Sequence, residues 1–152
     1  MTSLITRSSA DPQVRGPLAS GASHLYRSTV SSRLRVAQLF IMQIGHWGMA
    51  DLADLLVTTV TFKATGKSVL AGYSSGRDAV LEHFDNLARR TAGTFDIIKR
   101  SDWMTGESHV AVLLDVHAQC LGRFRQESQL VLVKLNARDM IVEIRVFVGD
   151  RW

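Results

Sequence analysis

Apolar residues recur at helical spacing in two parts of the chain and alternate with polar residues in several others. Between residues 33 and 56 they return every three or four positions, and Gly45-His46-Trp47-Gly48 interrupts this pattern, which predicts two helices joined by a bend. The same spacing predicts a helix over Arg77–Arg90. Alternation and β-branched residues predict five strands. These strands are Val57–Lys63, Thr94–Arg100, His109–Gln119, Arg125–Leu135 and Met140–Val148.

The order of these elements predicts the fold class. Turn residues dominate Ala64–Ser75, so we expect no regular structure between the first strand and the helix that begins at Arg77. Short connections separate the last four strands and are typical of antiparallel neighbours. The chain order, with helices followed by an antiparallel meander of strands, indicates an α+β fold. In this fold, N-terminal helices cover one face of a curved antiparallel sheet.

Residues 1–32 show neither the helical spacing of apolar residues nor the alternation that is typical of strands. This stretch is rich in Ser and Arg and holds both prolines of the chain, Pro12 and Pro17. We expect a disordered basic extension, because its apolar surface is too small to offset the entropy lost on ordering. An organelle transit peptide has a similar composition, and a misassigned start codon would give the same picture. Residues 33–152 are then predicted to form one domain.

Composition and charge narrow the function classes. Hydrophobic residues make up 46% of the chain, yet no apolar run approaches the ~20 residues of a membrane span, so we expect no membrane insertion and a cytoplasmic protein. Residues 1–33 contribute +3 of the net charge of +4, since the chain after residue 33 carries 14 basic and 13 acidic residues. We therefore expect no nucleic-acid partner. Cys120 is the single cysteine and the histidines lack ligand spacing, so we expect no metal and no cofactor.

Several short motifs occur in order from Val36 to the end of the chain. They are Leu52-Ala53-Asp54-Leu55-Leu56, Val60-Thr61-Phe62, Ala71-Gly72-Tyr73, Gly76-Arg77-Asp78-Ala79-Val80, Thr91-Ala92-Gly93-Thr94-Phe95 and the run Ile141 to Asp150. In order and spacing they resemble the SnoaL-like branch of the nuclear transport factor 2 superfamily. The resemblance implies a cone-shaped sheet around the helices, a deep apolar pocket and a homodimer formed through the sheet face. Members include polyketide cyclases, ketosteroid isomerases, epoxide hydrolases and non-catalytic proteins, so the fold leaves the function open.

The ketosteroid isomerases of this superfamily use an Asp base with a Tyr and a protonated Asp as donors. In a register without gaps, the resemblance puts the tyrosine position at Phe40, the base position at Ala64 and the donor carboxyl position at Val131. None of these three side chains can move or donate a proton. The sequence therefore argues against isomerisation by that machinery.

The same register and the alternation of strand side chains predict which residues enclose a ligand. Asp115 and His117 fall on the opposite face, where we expect a dimer surface or its rim rather than acid–base chemistry. The predicted pocket residues are Phe40, Trp47, Phe62, Leu114, Val116, Ala118, Gln129, Val131, Val133, Ile144, Val146 and Val148.

Few polar residues remain as candidates for chemistry near this apolar pocket. Asp150 follows the last strand and Gly149, where partial desolvation would raise the pKa of its carboxyl group toward that of a general acid or base; the alternative is an exposed terminal residue. His83 lies at the edge of the buried face of its helix and is either a proton shuttle or a structural histidine. Gln129 is a candidate for orienting a ligand carbonyl, and Trp47 either stacks on a flat ligand or plugs the fold.

Two functions follow. In the first, the protein cyclises or isomerises a small hydrophobic metabolite, such as a polyketide, by holding a reactive conformer while Asp150 or His83 moves a proton. In the second, it is a non-catalytic module of the same fold that binds a small molecule or dimerises. The sequence names neither the ligand nor the role of residues 1–32.

Overall fold

The computed structural model describes residues 30–44 and 48–149. Three helices and six strands make up this part of the chain. The helices are α1 (30–44), α2 (Met49–Leu55) and α3 (Arg77–Arg90), and the strands are β1 (Leu56–Ala64), β2 (Gly72–Ser75), β3 (Asp96–Thr105), β4 (His109–Cys120), β5 (Arg123–Leu135) and β6 (Ile141–Val148).

All six strands form one sheet in the order β2-β1-β6-β5-β4-β3. Every neighbouring pair is antiparallel except β1 and β6, which run parallel and are joined by the long connection that parallel neighbours require. The sheet is curved and unclosed, with β2 and β3 as its edges. Helix α3 packs on β1 and β2 and also contacts α2. The predicted α+β class, with helices against a curved sheet, is confirmed.

Helix α3 begins and ends where the periodicity predicts. Its buried side carries Val80, Phe84 and Leu87. Gly76 precedes it at φ +95°, a conformation that L side chains rarely adopt, and its backbone N–H donates to the carbonyl oxygen of Val60 at 2.8 Å. The glycine thereby ties the start of the helix to β1.

Two strands differ from the prediction. The segment Ala64–Ser75 contains β2, which pairs with β1 from Thr61↔Ser75 to Ala64↔Gly72. This edge strand is mostly exposed and therefore lacks apolar alternation. Strand β3 continues beyond Arg100, because a register shift between Ser101 and Met104 interrupts the alternation without ending the pairing.

The first helix extends into the segment that we predicted to be disordered, since residues 30–32 are helical. The remainder of that prediction, residues 1–29, lies outside the described residues. Among the described helices none is long and apolar enough to span a membrane.

Candidate functional site

The concave face of the sheet and the helices enclose a small apolar cavity. Its volume is about 10 Å³, which is close to the minimum that one water molecule needs. Gln129 is the single polar side chain in its lining. The lining residues are Phe40, Ile41, Ile44, Phe62, Leu70, Phe84, Phe95, Ile97, Leu114, Gln129, Val131, Ile144 and Val146.

Three phenylalanine rings of the cavity lining pack against one another. The rings of Phe40 and Phe84 meet edge to face with their centroids 6.2 Å apart, and those of Phe62 and Phe84 do so at 5.2 Å. All three side chains are fully buried. The resemblance implied a deep apolar pocket; the interior is apolar, but its packed side chains leave only this small cavity.

A polar cluster lies at one side of the cavity and consists of Ser68, Glu127 and Gln129. One carboxylate oxygen, Glu127 Oε1, accepts three hydrogen bonds: from Ser68 Oγ at 3.0 Å, from the backbone N–H of Val69 at 2.9 Å and from Gln129 Nε2 at 2.8 Å. Ser68 Oγ also accepts from Gln129 Nε2 at 3.3 Å and from the backbone N–H of Leu70 at 3.0 Å. These bonds fix the orientation of the Gln129 carboxamide.

The oxygen of that carboxamide is left without a partner. Gln129 is 1% exposed, and its Oε1 atom is buried with no hydrogen bond from the described part of the chain. Leaving a buried acceptor unpaired costs about 1–3 kcal/mol of folding free energy. Such an atom in an otherwise apolar lining is the most unusual chemical feature of the interior.

An open groove of about 660 Å³ lies on the other side of the cluster. It is formed by residues 65–67 after β1, 124–127 of β5 and 148–149 at the end of β6. Glu127 lines the groove and bonds to Gln129, which lines the cavity. The hydrogen bond between Gln129 and Glu127 therefore connects the cavity lining with the groove lining.

Local sequence explains how the cluster forms. Glu127 and Gln129 are two residues apart on β5 and so share one face of the strand. Ser68 lies in the loop between β1 and β2, whose backbone turns at Ser68–Ala71 through a hydrogen bond from Ala71 N–H to the Ser68 carbonyl oxygen at 3.0 Å. The sequence analysis missed Ser68 and Glu127. Strand alternation signals Glu127 once Gln129 is placed inward, whereas no sequence pattern signals Ser68.

His83 lies apart from the cavity lining. Its Nε2 atom is 3.0 Å from the Leu70 carbonyl oxygen, to which it donates, and its ring stacks against Phe62 with centroids 4.7 Å apart. Burial lowers the pKa of His83 below 6.5, an effect that the Arg90 charge reinforces and the bond to Leu70 opposes. A Cβ atom at Gly72 would lie 2.8 Å from His83 Cε1, so the glycine makes room for the ring. His83 is therefore built into the contact between α3 and the β1–β2 loop.

The structure distributes the other predicted site residues over three places. Phe40, Phe62, Leu114, Val131, Ile144 and Val146 line the cavity together with Gln129. Val116, Ala118 and Val133 are buried but lie outside its lining, and Val148 lines the groove instead. Trp47 and Asp150 lie outside the described residues.

The isomerase positions carry no proton donor or base. Phe40 and Val131 line the cavity, and Ala64 is buried nearby in β1. No cavity-lining residue in the described part of the chain is titratable. Within those residues, no group of three His, Cys, Asp or Glu side chains is arranged to hold a metal ion.

Asp115 and His117 lie on the opposite face of the sheet. Asp115 Oδ1 accepts a hydrogen bond from Ser128 Oγ at 2.6 Å, and His117 Nε2 lies 3.7 Å from Asp96 Oδ2. Leu113 and Phe147 are partly exposed in a cross-strand row on this face. The homodimer through this face stays a prediction.

Comparison with known proteins identifies the fold. No protein-family model and no curated protein matches the chain. Among solved structures, an NTF2-like protein from Anabaena variabilis is 17% identical with a TM-score of 0.67, covering 79% of this chain and 91% of that one. The epoxide hydrolase/cyclase-like enzyme SalBIII, which has a role in pyran ring formation in the polyether salinomycin, is 17% identical with a TM-score of 0.66, covering 78% and 92%.

A third solved structure contains a ligand. Rv0760c from Mycobacterium tuberculosis in complex with estradiol-17beta-hemisuccinate is 16% identical with a TM-score of 0.64, covering 76% of this chain and 92% of that one. At these identities the likeness establishes the fold alone. What the three proteins bind or catalyse does not follow for this chain. The chain has the nuclear transport factor 2-like fold that its sequence motifs predicted.

Proposed function

We propose that the protein binds a small apolar molecule in the interior between the sheet and its helices. The observation that carries this proposal is the composition of the cavity lining, which is apolar except for one carboxamide whose oxygen is unpaired. Ligand sites in proteins are mainly apolar with a few polar groups that fix orientation. The likeness to a protein solved in complex with estradiol-17beta-hemisuccinate supports small-molecule binding by this fold.

Binding requires the interior to enlarge. The present cavity of about 10 Å³ is too small for an organic molecule, since a cavity that holds benzene has a volume on the order of 150 Å³. Rotation of Phe40, Phe62 or Phe84 would release space, because these are among the largest fully buried side chains and all three line the cavity. The groove beside Glu127 is a large opening to solvent, and the hydrogen bond from Gln129 to Glu127 connects it to the cavity lining, so we propose it as the route of entry.

A titration with toluene tests this proposal, because toluene is small, apolar and unable to donate a hydrogen bond. We expect the methyl resonances of Val131, Ile144 and Val146 to shift in a saturable way, while those of Leu113 and Leu132 on the outer face stay unchanged. Shifts confined to the outer face, or none at all, would contradict binding in the interior.

Catalysis is the second candidate, and the position of Glu127 favours it. Its carboxylate borders both the groove and the polar cluster, so a ligand passing from one to the other would contact a group able to accept a proton. The likeness to a cyclase-like enzyme supports cyclisation or isomerisation as the reaction class. In this candidate Glu127 takes the proton-transfer role that the sequence analysis gave to Asp150 or His83.

A phenyl-substituted epoxy alcohol tests catalysis directly. Its cyclisation is an isomerisation in which the hydroxyl oxygen forms a bond to an epoxide carbon, the carbon–oxygen bond of the epoxide breaks, and one proton moves from the hydroxyl to the epoxide oxygen. We expect the wild type to form the cyclic ether and Glu127→Gln to lose turnover while it still binds toluene. Equal conversion by both proteins and by buffer would reject catalysis and leave the binding proposal standing.

A further inference from the structure

We infer that the interior selects ligands that donate a hydrogen bond, such as an alcohol or a phenol, and that Gln129 Oε1 is the acceptor that makes this selection. The inference rests on the proposed binding function and adds the chemical class of the ligand. It also reverses the role expected for Gln129, which was to orient a ligand carbonyl.

The hydrogen bonds of Gln129 determine which atom is free. Its Nε2 atom donates to Glu127 Oε1 at 2.8 Å and to Ser68 Oγ at 3.3 Å, so the NH₂ group faces the cluster. A carboxylate oxygen has no hydrogen to donate, so turning the carboxamide over would set two acceptors against each other. Glu127 is itself held by Ser68 and by the backbone of Val69, so it does not follow such a turn. The oxygen of Gln129 is consequently the atom that points away from the cluster.

The burial of that oxygen makes the preference strong. Gln129 is 1% exposed and lies among apolar cavity residues such as Val131 and Ile144, so solvent does not compete for the acceptor. A water molecule placed in the cavity would find one polar partner, whereas buried waters usually make about three hydrogen bonds. A ligand hydroxyl would satisfy the oxygen and leave the rest of the molecule against the apolar wall. A ligand carbonyl would meet the oxygen acceptor to acceptor.

Cyclohexanol and cyclohexanone form a matched pair of probes, because they have nearly the same size and differ in the donor. We expect the wild type to bind cyclohexanol about tenfold more tightly than cyclohexanone, in line with one neutral hydrogen bond to a buried group. Gln129→Met removes the acceptor with little change in volume and is expected to abolish the difference. Gln119→Met makes the same chemical change at an exposed position of β4 and is expected to retain it.

The carboxamide itself provides a second readout that does not depend on any variant. On binding of cyclohexanol, the side-chain Cδ and NH₂ resonances of Gln129 in the wild type should shift, and cyclohexanone should shift them less. Equal affinity for the two probes, tighter binding of the ketone, or an unchanged preference in Gln129→Met would overturn the inference.

The toluene titration separates the two proposals. If toluene enters the interior and the alcohol and ketone bind alike, donor selection is wrong while interior binding stands. If none of the three probes enters, the binding proposal fails and donor selection fails with it.

Discussion

The strands β4 and β5 carry polar groups on both faces, and the two sets differ in how completely they are paired. On the outer face Asp115 accepts from Ser128 and His117 lies near Asp96, with side chains that remain partly exposed to solvent. On the inner face Gln129 is fully buried and one of its polar atoms has no partner. Solvent completes the hydrogen bonding of the outer set, so that set needs no ligand. The inner carboxamide of Gln129 has no access to solvent, so it is a better candidate for binding a ligand.

The two faces also differ in their apolar groups. Phe84 is fully buried at the centre of the closed interior, whereas Phe147 on the outer face is 42% exposed. The same residue type therefore stabilises the fold on one face and is available for contact on the other.

The largest expected effect is on stability, from Phe84→Ala compared with Phe147→Ala. Truncating the buried ring should lower the free energy of unfolding by about 3–5 kcal/mol, because transfer and cavity terms add. The outer ring should cost less than about 1 kcal/mol, since much of it already faces solvent. Urea denaturation with constant m-values measures both. Similar losses at the two positions would contradict the closed aromatic interior.

The same Phe84→Ala variant also tests the binding proposal, at a temperature where the variant remains folded. It removes a ring that competes with a ligand for the interior, so toluene should bind more tightly than to the wild type. Phe147→Ala should leave the affinity unchanged. A weaker affinity in Phe84→Ala would indicate that toluene binds elsewhere.

A smaller effect is expected from Glu127→Gln compared with Asp115→Asn. Glu127 Oε1 accepts three hydrogen bonds in a half-buried cluster, and charge-assisted bonds are roughly twice as strong as neutral ones. We expect a loss of about 1–2 kcal/mol in the free energy of unfolding for Glu127→Gln, and less than about 0.5 kcal/mol for Asp115→Asn at its solvated site. Equal losses would remove the energetic distinction between the two faces.

The smallest effect concerns pH. Burial lowers the pKa of His83 in the folded protein below its unfolded value of 6.5, so the unfolded chain binds more protons as the pH falls. The contribution of His83 to stability is therefore complete above pH 6.5 and is lost as the pH decreases through the folded pKa. His83→Gln should flatten this part of the pH–stability curve relative to the wild type. The ¹H titration of the His83 ring provides the control, and a midpoint above 6.5 would contradict the burial of this side chain.

The sequence predicts most of the fold because the main elements have strong apolar periods. Helix α3 and the strands β4, β5 and β6 are found within two residues of their predicted bounds. Edge strand β2 was missed because it buries no face, and the end of β3 was misplaced because a bulge breaks its alternation. These errors share one physical cause, since pairing through the backbone leaves little trace in the side-chain pattern.

The candidate site is less predictable than the fold. Alternation correctly orients Gln129 toward the interior, yet it does not specify which amide atom remains free, because that depends on Ser68 in a loop 61 residues away along the chain. The volume of the cavity is equally inaccessible to sequence reasoning, since it depends on how the rings of Phe40, Phe62 and Phe84 pack together. Long-range polar contacts and ring packing thus account for what the pattern leaves undetermined.

An isotope-filtered nuclear Overhauser experiment on the protein with toluene tests the central claim most directly. The account predicts cross-peaks from toluene protons to the methyl groups of Val131, Ile144 and Val146, together with altered ring resonances of Phe40, Phe62 or Phe84. Cross-peaks only to residues of the open groove or the outer face, or no cross-peaks at saturating toluene, would contradict binding in the interior.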